Sequence, residues 1–212
     1  MIAGLYENEI IKYLIIPEGK EVPAGMDKEV IIISQPADKT YISSEDAFRM
    51  IADLGAEKNI LATGLEEFKD SDEYAWGGTC DDWDLRTFIM KKINLAIQSS
   101  EILPSDDKTL EKDLENMIRL GERSAQMDIG MFVDRSSDEK NGLAKAEWYK
   151  VYGVIYNCTD KAESLYKKAV GAASEKEKSE AEEQLKKRAD ELNEMKSEAK
   201  SAAEKKNSED KK

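Results

Sequence analysis

The chain has 212 residues, 36% of them charged and 40% hydrophobic, and a formal net charge of -13. That is room for one domain with a proper core, or for one domain and an extension, and the acidity excludes a binder of phosphate backbones, which needs Lys and Arg clustered free of acidic neighbours. There is no histidine, which removes Ser-His-Asp and Cys-His catalysis, His-ligated zinc and the usual proton shuttle at neutral pH, and leaves only carboxylate, lysine or tyrosine chemistry.

The start, Met1 to Glu7, carries neither the basic nor the apolar region of an export signal. No apolar run reaches the ~18 residues of a membrane span. Ile10 to Ile16 reads as a strand closed by the turn Pro17-Glu18-Gly19, and Val30 to Ile33 as a buried β-branched strand. Ser43 and Asp46 are spaced as a capping box, followed by Ala47, Phe48, Ile51 and Leu54 on one helical face and by Gly55 as a stop.

The pattern then repeats. Ile60 to Thr63 is a strand running into Gly64, and Asp81 or Asp82 is expected to cap a helix carrying Leu85, Phe88 and Ile89. Leu95 to Ile97 is a strand ending at Gln98-Ser99-Ser100. Asp106 or Asp107 opens a long helix with Leu110, Leu114, Met117, Ile118 and Leu120 inward. Ile129 to Val133 is another strand with the exit loop Asp134 to Ser137, and Leu143 to Tyr156 a helix burying Trp148, Val151, Tyr152 and Ile155. Beyond Gly171 the chain turns to Glu, Lys, Ala and Ser, with Leu185, Leu192 and Ala199 too thin a stripe for a coiled coil. That stretch reads as a solvated helix or as one that binds a partner, and Asn207 to Lys212 as disordered.

Strands alternating with helices predict an α/β fold, a three-layer lobe with a mostly parallel sheet flanked by helices and followed by a long charged C-terminal helix. Such sheets bind ligands beyond the carboxyl ends of their strands. The candidate ligand-binding residues are therefore Tyr41, Ser43, Ser44, Gly64, Trp76, Gly77, Thr79, Ser99, Ser100, Arg135 and Ser136. A guanidinium and two hydroxyls in Arg135-Ser136-Ser137 suit an anionic or oxygen-rich ligand, although taken alone they are more simply a helix cap and an ion pair with a nearby carboxylate. Gly77-Gly78 is too short for a phosphate cradle, and Asp81, Asp82 and Asp84 lack EF-hand spacing and sit at a helix start, so no metal site is expected. Cys80 and Cys158 read as partly buried free thiols, or as one disulfide in an oxidising compartment.

Several stretches together resemble the ABC-importer substrate-binding proteins of the iron-siderophore, haem and corrinoid class. These are Tyr13 to Pro23 with Val30 to Pro36, then Asn94 to Leu103, and most specifically Ile129 to Ser137 followed by Leu143 to Gly153. The resemblance covers roughly residues 10 to 170. It implies the first lobe only of a two-lobed periplasmic binding protein: a ligand-binding lobe over 1–158, an inter-lobe-type helix and charged extension over 159–206, and a tail over 207–212. It further implies an ABC permease as partner, docked through surface acids such as Asp106 and Asp107, and a transported metal chelate rather than a resident cofactor. Capture without catalysis, an extracytoplasmic place and a monomer with no membrane insertion complete that expectation. The sequence departs from the family at Gly130, where proline is usual, at Lys145-Ala146, and in a short stretch between Gly64 and Trp76. The alternative reading is a non-catalytic interaction protein that uses the α/β body as a platform and the charged helix to hold a partner protein.

Overall fold

The computed structural model describes residues 2–3, 10–26, 30–103, 110–183, 185–190 and 193. Asp106 and Asp107, Leu192, Ala199 and the stretch from Asn207 lie outside them. A short β1 (Ile2–Ala3) pairs antiparallel with β2 (Ile10–Ile16), which runs parallel to β3 (Val30–Ser34). The second sheet has five strands, β4 (Thr40–Ile42), β5 (Ile60–Thr63), β6 (Ala75–Trp76), β7 (Leu95–Ser99) and β8 (Gly130–Asp134). All are parallel, in the order β6-β5-β4-β7-β8. β3 lies beside β8 without joining its ladder, and Tyr13 of β2 packs on Phe132 with ring centroids 5.1 Å apart.

Alternation along the strands divides the core in two. Ile42, Leu95, Ile97 and Phe132 face one side and meet α1 (Glu45–Asp53), α4 (Gly142–Ile155) and α5 (Thr159–Ala172) through Ile51, Tyr152 and Ala162. Tyr41, Ala62, Ala96 and Val133 face the other and meet α2 (Leu85–Lys91) and α3 (Leu110–Met127) through Phe88 and Leu120. Successive strand side chains point to opposite faces, and central parallel strands are covered on both. The result is the expected α/β lobe of sheet between helices.

Several local expectations are corrected. Tyr41 and Ile42 belong to a strand rather than to an exit loop. The cap of α1 is Ser44, whose Oγ accepts from Ala47 N at 3.2 Å, because the Ser43 N–H is still held by the Ile97 carbonyl at 3.0 Å. The cap of α2 is Asp84 rather than Asp81 or Asp82; Asp84 accepts from Arg86 N, while Asp81 takes the Thr79 hydroxyl. On α3, Met117 and Leu120 are buried but Leu110 and Ile118 are exposed. The charged stretch beyond Gly171 is helical at 175–183 and 185–190, largely exposed as a solvated helix is, and it touches the lobe at Asn141 and Glu139. Cys80 and Cys158, by contrast, are partly buried free thiols as expected.

The α4–α5 corner is tight enough to test. An added Cβ on Gly153 would overlap the Cβ of the buried Ala162, an atom fixed by its own backbone. Gly153→Ala is expected to lower stability by about 1–3 kcal/mol through overpacking, despite the better helix propensity of alanine. A urea midpoint equal to or above that of the parent would show that the two helices part at no cost.

Candidate functional site

Strand order places the crevice. From β4 the chain first adds β5 and β6 on one side, then crosses to add β7 and β8 on the other, so the order reverses between β4 and β7. Open α/β sheets take ligands at such a point, beyond the strands' carboxyl ends. Ser43 leaves β4 there and Ser99 ends β7.

A layer of buried polar groups lies under this edge. Ser43 Oγ accepts from Ser99 N at 3.2 Å, tying the two strand ends together. The buried Gln98 amide sets its oxygen toward the Trp83 indole N–H, and its nitrogen then donates to Ser43 Oγ at 2.7 Å and to the Cys80 carbonyl at 3.3 Å. Beside it Asp134, 1% exposed, accepts from the hydroxyls of Ser44 at 2.5 Å, Ser136 at 2.9 Å and Tyr152 at 2.8 Å, and from Ser136 N at 3.2 Å. Four donors satisfy this carboxylate as a buried charge requires. Burial, with Asp134 adjacent, pushes the Tyr152 hydroxyl well above its ordinary range, so it is a donor and not a base.

The rim above is more open. Ser100 Oγ lies 3.2 Å from Ser137 Oγ and donates to Asp138 Oδ1 at 3.1 Å, while Ser99 Oγ accepts from Glu101 N. Arg135 Nε donates to Asp138 Oδ2 at 2.7 Å, and its two terminal nitrogens meet no acceptor among the described residues. The Arg135 and Asp138 side chains are 36% and 41% exposed, so water screens this pair and it contributes little to stability.

The predicted residues therefore separate into groups. Ser43, Ser44 and Ser136 are buried in the polar layer, and Tyr41 is wholly buried with its hydroxyl donating to the Gly78 carbonyl at 3.0 Å. Gly64 and Gly77 lie against the Tyr41 side chain, where a Cβ on either would collide with it. Ser99, Ser100 and Arg135 form the rim at β7 and β8. Trp76, under the Lys69 ammonium at 4.9 Å, belongs to the β6 edge, whereas Thr79 donates to Asp81 in the loop whose next residue, Cys80, offers its carbonyl to Gln98. Four strand spacings, about 19 Å, separate β6 from β8, so the Trp76 and Arg135 backbones stand at opposite edges of the sheet. Asp134, Asp138, Gln98 and Tyr152 were not among the site residues expected from the sequence, although Tyr152 was expected to be buried. Asp138 alone had a local signal, an acid three residues after Arg135 across one turn.

Burial, with Asp81 nearby, lifts the Cys80 thiol to about 11, which leaves it protonated and unreactive at neutral pH. Among the described residues no cluster of acids and cysteines has the makings of a metal site, and no helix is long and apolar enough to cross a membrane.

No family model matches the sequence, and no curated protein matches it. Among solved structures the chain is similar to the periplasmic haem-binding protein of Vibrio cholerae, at 15% identity and a TM-score of 0.46, over 63% of this chain and 47% of that one. It is similar to the petrobactin-binding protein of Bacillus subtilis at 12% identity and a TM-score of 0.44, over 62% and 43%. For the periplasmic catecholate-siderophore binding protein of Vibrio cholerae the values are 14%, 0.43, 64% and 45%. The chain thus spans just under half the length of each. Likeness of this strength says nothing about ligand or partner.

Proposed function

We propose that this lobe captures a small oxygen-rich ligand at the exit loops of β7 and β8 and delivers it without chemical turnover. The observation that carries the reading is Arg135, which stands at the rim with its terminal guanidinium nitrogens meeting no acceptor among the described residues, beside the hydroxyls of Ser100 and Ser137. A planar fork of donors next to hydroxyls matches carboxylate, hydroxamate or catecholate oxygens. The sequence resemblance of Ile129 to Gly153 to importer binding proteins points the same way. It suggests a ferric siderophore, haem or corrinoid as cargo, an ABC permease as recipient and an extracytoplasmic place of work. Asp106 and Asp107 remain the proposed docking acids. Half a cleft offers fewer contacts than a closed one, and weak binding is the expectation.

The test is thermal stability of the full chain against ferric siderophores, haem and corrinoids, with Arg135→Ala in parallel. At a hundredfold excess over Kd a true ligand adds about 2.7 kcal/mol, a rise of several degrees for a chain of this size. A rise that Arg135→Ala loses supports the site. Equal shifts in both proteins would move the binding elsewhere.

The rival reading, a tail that recruits a partner protein, meets a tail already held by its own lobe: Arg188 pairs with Glu139, and Asn141 donates to the Glu177 carbonyl.

A further inference from the structure

We propose that the charged C-terminal stretch is a strap on the ligand loop: residues 175–183 and 185–190 dock on the lobe through Glu139 and thereby hold the segment from Arg135 to Asn141 in place. This holds whatever the site binds, because it concerns the order of the loop and not its ligand.

Glu139 comes directly after the 3₁₀ turn Ser136–Asp138, which carries the rim. Its side chain is only 5% exposed although the residue sits in a surface loop. Arg188 covers it, with Nη1 donating to Oε1 at 3.0 Å and Nη2 to Oε2 at 2.8 Å, and Trp148 Nε1 donates to Oε1 at 3.2 Å. A two-pronged guanidinium–carboxylate pair with a third donor fixes orientation as well as position. Two residues on, Asn141 does double duty. Its Oδ1 caps α4 by accepting from Leu143 N at 2.8 Å, and its Nδ2 donates to the Glu177 carbonyl at 2.9 Å. The tail begins on its own signal, a reciprocal cap in which Ser174 N donates to Glu177 Oε2 and Glu177 N donates to Ser174 Oγ.

What makes this a strap and not a welded layer is the packing beneath it. Between α4, α5 and the tail lies an open cavity of about 170 Å³, with Leu143, Val170, Ala181 and Leu185 among its walls. Leu185 is 46% exposed, and among the tail's described residues only Ala181 is buried. Among the described residues the tail is thus anchored by polar contacts at Glu139 and Asn141 across a poorly filled seam, and a seam with few buried apolar contacts opens at low free energy. Whatever draws the tail away also frees Glu139 and Asn141, and with them the loop that carries Arg135 and Asp138.

Hydrogen exchange on the full chain tests this, comparing the parent with Arg188→Gln, Glu139→Gln and the double variant. In Arg188→Gln the amides of Asp138 and Glu139, which donate to the Arg135 and Ser136 carbonyls, are expected to exchange about tenfold faster, as loss of one well-formed ion pair predicts. The urea midpoint of the whole lobe should barely move. The double variant should add nothing to either single change, because both remove the same link. Faster exchange confined to 175–190 with an unchanged loop would overturn the proposal, as would additive effects in the double variant or a tail that exchanges at unfolded rates in the parent.

Discussion

Asp134→Ala is expected to cost the lobe about 3–5 kcal/mol, the sum of penalties of about 1–3 kcal/mol for each buried donor left without an acceptor, reduced where a hydroxyl turns to another partner. The loss is not only that of a carboxylate. It leaves the hydroxyls of Ser44, Ser136 and Tyr152 without the acceptor they share, in a place that water does not reach. Asp134→Asn keeps the shape but turns an NH2 group toward donors, and about 2–3 kcal/mol is expected there, since fewer groups are orphaned. Urea unfolding of both variants beside Tyr152→Phe decides the matter. Phe removes one donor and leaves the carboxylate three bonds, so it should cost least. An Asp134→Ala protein within 1 kcal/mol of the parent would mean the network adds nothing net.

Raising the pH should destabilise the lobe steeply from about pH 9 to 10 upward. Burial holds Tyr152 and Tyr156 above their ordinary value of 10.0, lifts Tyr13 to about 12 and lifts Cys80 from 9.0 to about 11. The sign follows from which state keeps the proton. Below the unfolded values both states are protonated and the full stability is present; above them the unfolded chain ionises first, and stability is lost until the folded groups ionise too. Each such group removes about 1.4 kcal/mol per pH unit once its unfolded value is passed. The two wholly buried tyrosines alone should take about 3 kcal/mol between pH 8 and pH 11. Urea midpoints across that range measure it, and a flat curve would refute it. Tyr156→Phe, which gives up a bond to Thr40, should flatten part of the slope.

How much of this was readable from the residues depends on how far apart the partners lie. The strands Ile60–Thr63 and Gly130–Asp134 and the buried stripe of α4 follow from short-range alternation and helical spacing, which one window of sequence contains. Thr40–Ile42 has three residues and no room to show a period. With acids at 81, 82 and 84 in one turn, spacing could not choose the cap; the bridge between Gly78 and Trp83 chose Asp84. The polar layer was invisible for a different reason. Ser44 and Asp134 are 90 positions apart, and only the strand order brings them together. The tail's contacts with the lobe had no such signal, because those at Glu139 and Asn141 are polar and follow no period, while its own local signal, Ser174 followed by Glu177, lay amid other Ser and Glu.

The Ser43 bridge between β4 and β7 also bears on what a calorimeter would record. A ligand oxygen that enters the crevice at the Ser99 amide must evict the Ser43 hydroxyl, so one bond is exchanged for another and little heat is released there. Heat of binding should come instead from the rim, where the terminal nitrogens of Arg135 meet no acceptor among the described residues. A compound designed against this edge would do better to reach outward to the guanidinium than to burrow between the strands.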